Sequence, residues 1–208
     1  MKKLIVSLFL TFTLLIISNN ESIAACPSGW SSTTVTMTIG NCDYYIEVCY
    51  KCEVTNPGKV KVHRFWLVDS TCNNTLSITQ ITSQMYNEIS TGAFIYANLC
   101  PDALYPTPPC EFGTKQFEVM YHYCWQQWYR YNGVSNVREY WPCDDNACCV
   151  ELIEYCSDNG TIITTSKTPQ DPPQSPPCEL YYYEITWPTV LGTKSDCYVL
   201  PNVPCGIE

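Results

Sequence analysis

The chain has 208 residues, a formal net charge of −9 and only 15% charged residues. That acidic balance argues against nucleic acid and anionic membranes as partners, since both select basic patches. Fifteen cysteines in so short a chain point to a disulfide-bonded protein of an oxidising compartment.

The chain starts with the basic Met1-Lys2-Lys3, followed by an apolar run from Leu4 to Ile17 that is too short to span a bilayer comfortably. Ser22-Ile23-Ala24-Ala25 then offers small residues for cleavage, so residues 1–25 read as a secretory signal peptide. No second hydrophobic span follows, so no transmembrane helix is expected in the mature chain. Ile23-Ala24-Ala25-Cys26 also fits a bacterial lipobox, in which Cys26 carries a lipid anchor. The polar insert Ser18-Asn19-Asn20-Glu21-Ser22 favours simple cleavage, whereas cysteine parity favours the lipid. All fifteen cysteines lie at or after Cys26, and an odd cysteine in an exported protein needs an explanation.

The mature chain, 26–208, has 9 basic and 19 acidic residues, a net of −10. Its length suits one cysteine-rich β domain, or two smaller ones split near 100–110 into 26–100 and 110–208. The candidates for disulfides are Cys42, Cys49, Cys52, Cys72, Cys100, Cys110, Cys124, Cys143, Cys148, Cys149, Cys156, Cys178, Cys197 and Cys205, with Cys26 lipidated, paired or odd. Each bridge adds about 2–4 kcal/mol by restricting the unfolded chain. Spacing alone leaves the connectivity open.

In chain order, Trp30 to Ile39 alternates Val35, Met37 and Ile39 with threonines and reads as a first strand. Tyr44 to Cys49, a turn at Asn56-Pro57-Gly58, and Lys59 to Val68 form a hairpin. Its return strand is expected to carry Val60, Val62, Trp66 and Val68 on one face, with Arg64 as the exception. From Ser77 to Leu99 the period changes to three and four at Ile78, Ile81, Met85 and Ile89, which predicts an amphipathic helix packed on a sheet. Ser77 and Gln80 suit a capping box, and Gly92 ends or interrupts the helix. The prolines of Cys100 to Cys110 and of Pro169 to Pro177 make stiff connectors.

The densest pattern is a hairpin from Thr114 to Cys143, whose outgoing strand runs from Lys115 to Trp125. Phe117, Val119, Tyr121, Tyr123 and Trp125 recur there at period two, and Asn132-Gly133 suits a type I′ turn. Val150 to Cys156, Asp158-Asn159-Gly160 and Thr161 to Thr165 repeat the plan. The irregular spacing of the three hairpins excludes a solenoid. Tyr181 to Trp187 reads as a last strand, and Cys197 and Cys205 staple the terminus. The expected fold is therefore mainly β, of antiparallel sandwich-like hairpins with one amphipathic α-helix, and disulfide-rich.

Catalytic and metal signatures are weak. Cys49-Tyr50-Lys51-Cys52 suits a redox pair, but it lacks the usual strand–helix context. Zinc on Cys49, Cys52, Cys148 and Cys149 is disfavoured by the adjacent pair and by the oxidising compartment. Asp144-Asp145-Asn146 and Asp158-Asn159-Gly160 lack the alternation of a calcium loop and read as turns. A hydrolase would need His63 or His122, the only two histidines, and no Gly-x-Ser-x-Gly elbow is present. Glu151 and Glu154 do not stand out as a glycosidase pair. No cofactor is expected.

Aromatic content is the remaining signal. Rings fall on both alternating faces near Trp125 to Tyr131, so a hairpin buried on one side exposes some of them. Exposed rings mark recognition surfaces for protein or sugar. Trp125, Trp128, Tyr129 and Tyr131 are therefore the expected partner-binding residues. The reading is a non-enzymatic protein of bacterial export, secreted or on the cell envelope, that binds protein or glycan through this hairpin. The alternatives are a secreted hydrolase using His122 or His63, and an inhibitor or toxin-like scaffold.

Overall fold

The computed structural model describes residues 26–54, 57–101, 106–143, 149–170, 178 and 180–200. The expected leader 1–25, Asn56 of the first turn, Asp144-Asp145-Asn146, most of the second proline stretch, Cys148 and Cys205 lie outside the described residues.

Period-two segments form strands as expected. β1 (Ser31–Ile39) and β2 (Cys42–Lys51) pair antiparallel along their whole length. The strand that joins everything is β3 (Gly58–Leu67). One of its edges pairs with β2. The other edge is divided. Its first half runs parallel to β4 (Lys115–Tyr121), and its second half runs antiparallel to β6 (Asn136–Pro142). A parallel pair needs a long crossover. The chain supplies one with α1 (Ile78–Ile89) and α2 (Gly92–Asn98). Strands on both sides of the 100–110 connector thus belong to one mixed sheet. From β4 the sheet continues to β7 (Cys149–Asp158) and β8 (Thr161–Pro169). From β6 it continues to β5 (Cys124–Tyr131), whose far edge takes the short strands Thr193–Lys194 and Tyr198–Val199.

A bulge in β3 decides which side chains reach each face. Glu47 pairs with Arg64 but Val48 pairs with Val62, so His63 is the extra residue. A one-residue slip turns every later side chain to the opposite face. Val60 and Val62 face the core, and beyond the bulge Phe65 does, all fully buried. Trp66 therefore does not share a face with Val60 and Val62. It lies with Arg64 on the other face, where the Arg64 guanidinium sits 4.9 Å from its ring centre.

The amphipathic segment is two helices. The Ser77–Gln80 capping box closes the start of α1, and Met85, Tyr86 and Ile89 are almost wholly buried beneath it. The break falls at Ser90-Thr91, where Thr91 Oγ1 accepts from the Phe94 amide at 3.1 Å and caps α2. Gly92 allows α2 to touch β7, since a Cβ there would stand 2.3 Å from the Cβ of Tyr155.

Turn chemistry also differs from expectation. The outgoing strand of the aromatic hairpin ends at Tyr121, and β5 begins afresh at Cys124, so the hairpin proper is β5–β6. Residues 132–135 connect it, and Asn132 Oδ1 accepts the amides of Val134 and Ser135 at 3.0 Å each. Asn132 thus serves as a side-chain cap, and the two-residue turn with positive φ at both centres is Asn159-Gly160 between β7 and β8. In the tail, two-residue β9 (Leu180–Tyr181) gives way to a 3₁₀ turn, Tyr182–Glu184, in place of a full strand to Trp187.

Six disulfides brace this framework: Cys26–Cys49, Cys42–Cys72, Cys52–Cys100, Cys110–Cys156, Cys124–Cys178 and Cys143–Cys197. Cys149 is also disulfide-bonded. Of the states open to Cys26 in the sequence, the structure has the paired one, with Cys49. No described helix is long and apolar enough to cross a membrane.

Candidate functional site

The β5–β6 hairpin presents different chemistry on its two faces, because alternation there is unbroken. Cross-strand register places Trp66, Glu139, Trp128 and Lys194 in one row on the outer face. The Glu139 carboxylate is only 1% exposed and is held from three sides. Arg130 Nε donates to it at 2.7 Å, Trp141 Nε1 at 2.9 Å, and Arg64 Nη1 at 3.2 Å. Arg64 also pairs with Glu47 and lies 5.1 Å from the Trp141 ring centre. Trp128 has Lys194 at 4.5 Å and Arg130 at 5.1 Å from its ring centre, and Trp141 meets it edge-on. Buried charge paired this fully is a structural lock. The Trp128 ring is thus part of this lock.

The opposite face is a row of Phe65, Tyr140 and Gln127, flanked by the Tyr129–Arg138 pair. Phe65 and Tyr140 stack at 4.7 Å and carry the row into the core. Beside Tyr140 and Gln127 a cleft opens on this face. It consists of two cavities of about 410 and 450 Å³ that share Leu67, Gln127, Arg138 and Tyr140. Tyr129 lines the first cavity; Tyr44, Asn74, the start of α1, Tyr183, Ile185 and Trp187 line the second. Such volumes suit a small organic ligand. Two disulfides hold the walls: Cys42–Cys72 ties down the segment after β3, and Cys143–Cys197 ties the tail to the hairpin.

Gln127 is the polar centre of the cleft. It is 4% exposed, and its side-chain Oε1 has no hydrogen-bond partner. Its backbone is locked on both sides by Ser195, through N–H to Oγ at 2.8 Å and through the Ser195 amide to its carbonyl at 2.9 Å. An unsatisfied buried acceptor costs about 1–3 kcal/mol, which a ligand donor would recover. Beside it, burial pushes the Tyr140 phenol up to about 12, with the neighbouring Tyr44 adding to the rise and the Gln127 amide and Arg138 opposing it. Burial likewise raises Tyr44, against the hydrogen bond from Asn74. Both phenols are therefore neutral at physiological pH, able to donate and to accept. Arg138 is exposed, lies 5.6 Å from the Tyr129 ring centre, and has no ion pair among the described residues.

Of the four expected binding residues, only Tyr129 lines the cleft. Trp125 is a correction: it is fully buried, with its Nε1 donating to the His122 carbonyl at 2.9 Å, and belongs to the core. Trp128 lies in the outer lock, and Tyr131 is 56% exposed at the end of β5. Sequence reasoning missed Gln127, Arg138 and Tyr140. The available signal was Gln127 itself, a polar residue at the position that period two from Trp125 assigns to the inner face.

The other candidates are placed apart. Cys49 and Cys52 are bridged to Cys26 and Cys100, so they form neither a redox pair nor half of a zinc site. His63 packs edge-on against Trp141 and His122 against Trp125, both buried. Glu151 accepts from Tyr121 at 2.6 Å, whereas Glu154 is held by Gln116 and Ser166. Among the described residues no cluster of ligating side chains is arranged for a metal ion. Compared with protein families, with curated proteins and with solved structures, the chain matches none. Fold and site together define a disulfide-braced, mainly β protein with a polar, aromatic-walled cleft on one hairpin.

Proposed function

We propose that this is a non-enzymatic exported protein that binds a glycan in the cleft of the β5–β6 hairpin. The buried, unpartnered Gln127 Oε1 between neutral tyrosines carries the reading. A sugar presents what that arrangement lacks: hydroxyl donors for the amide oxygen and an apolar ring face for Tyr129, Tyr140 and Trp187. The described lining includes no carboxylate, imidazole or free thiol, which favours holding a ligand over cleaving it. The disulfides support export, since such bridges persist in oxidising compartments. The test is a saccharide panel titrated into the oxidised protein. Retention of at least one saccharide, lost in Gln127→Leu, is expected. Equal binding by folded Gln127→Leu would refute the site, and the absence of any saccharide ligand would refute the function.

A further inference from the structure

We infer that the saccharide is acidic: a uronic-acid residue whose carboxylate pairs with Arg138 while a ring hydroxyl donates to Gln127 Oε1. The inference rests on the glycan reading above and names its chemistry. Arg138 is the only charged residue among the described ones that line the two cavities, and it is positive in a chain of net charge −9. Arg64 and Arg130 are paired with Glu139 and, with Lys194, lie on the outer face. Arg138 has no carboxylate partner among the described residues, lies 5.6 Å from the Tyr129 ring centre and lines both cavities.

A guanidinium matches a planar carboxylate through two parallel N–H donors, which a neutral sugar would leave unused. Gln127 Oε1 has the opposite need, for a donor, and a carboxylate has none to give. A ligand that satisfies both must combine an anionic oxygen pair with a hydrogen-bond donor. A uronic acid does so, and its C–H face can lie against Tyr129 and Tyr140. An acidic peptide also supplies a carboxylate and, in its backbone N–H, a donor, but it brings no pyranose C–H face for the tyrosine-walled space beside Gln127.

The experiment is calorimetric titration of the oxidised mature protein with tetramers of galacturonate, mannuronate, guluronate and glucuronate-containing chains, and with their methyl esters. The ester removes the charge and keeps the ring. The expected result is that at least one acid binds roughly tenfold or more tighter than its ester, the scale of a charge-assisted pair. Arg138→Gln should erase that preference while leaving the ester within about threefold, and Arg138→Lys should restore part of it. Arg138 is exposed, so neither variant threatens folding. Esters that bind as well as the acids, or a preference that survives Arg138→Gln, would overturn the inference. Neutral saccharides that bind while every uronate fails would overturn it and leave the glycan reading standing. Failure of all saccharides would overturn both.

Discussion

Glu139→Gln should be among the most damaging surface-sheet substitutions in this protein. The change is isosteric and keeps one acceptor oxygen for Trp141 Nε1, but it removes a buried charge shared by two arginines. Arg64 retains Glu47, whereas the Arg130 guanidinium loses its only ion-pair partner among the described residues. Breaking a buried pair costs about 3–5 kcal/mol. The Arg64 and Arg130 side chains are 17% and 15% exposed, so water reaches them and the lower end applies, about 3 kcal/mol. With a urea slope of roughly 2 kcal/mol per M, the unfolding midpoint should fall by about 1.5 M. Glu47→Gln is the control. Its carboxylate is 20% exposed and serves Arg64 alone, so about 1 kcal/mol is expected. Urea unfolding of the disulfide-intact protein, followed by tryptophan fluorescence, reads both. Trp66, Trp128 and Trp141 report from the lock itself. A loss below 1 kcal/mol for Glu139→Gln, or a loss no larger than that of Glu47→Gln, would refute the view that this face is a structural lock.

Three further outcomes are expected. Gly92→Ala should cost about 1–3 kcal/mol by the same urea assay, because its methyl would overlap Tyr155, and the helix propensity of alanine should not rescue it. Stability should fall with rising pH between 10 and about 12, since unfolded tyrosine releases its proton near 10 while folded Tyr140 holds it to about 12; ultraviolet titration of phenolate should show a late-ionising tyrosine that vanishes in Tyr140→Phe. Alkylation before reduction should leave the twelve cysteines of the six described bridges unlabelled. A label on Cys26 would contradict its bridge to Cys49.

The elements were legible in the sequence wherever local periodicity and capping govern them. The Ser77–Gln80 box, the apolar stripe of α1 and the strands β1, β2 and β7 follow from spacing alone. Pairings between distant strands were not legible. Nothing in residues 58–61 announces that they run parallel to residues 117–120 across a two-helix crossover. The bulge at His63 was not read: even alternation put Trp66 on the face of Val60 and Val62, and Arg64 looked like an isolated exception until Glu47 and Glu139 stood beside it. The site was half legible. Rings on both faces of one hairpin did signal two environments, but which face closes on charge and which stays open depends on distant elements, Arg64 of β3 on one side and the segments that line the cleft on the other. Trp125 and Gln127, two residues apart on one face, differ in this way: one lies in the core, the other in the cleft.

The most direct measurement is nuclear magnetic resonance of the oxidised protein titrated with uronate oligosaccharides, watching the side-chain amide of Gln127, assigned by its loss in Gln127→Glu. Saturable shifts of that amide, together with Tyr129 and the Arg138 guanidinium, are predicted, with the indoles of Trp128 and Trp141 unmoved. Shifts centred on those indoles, or an unchanged Gln127 amide in the presence of a bound saccharide, would place recognition on the other face and contradict the account.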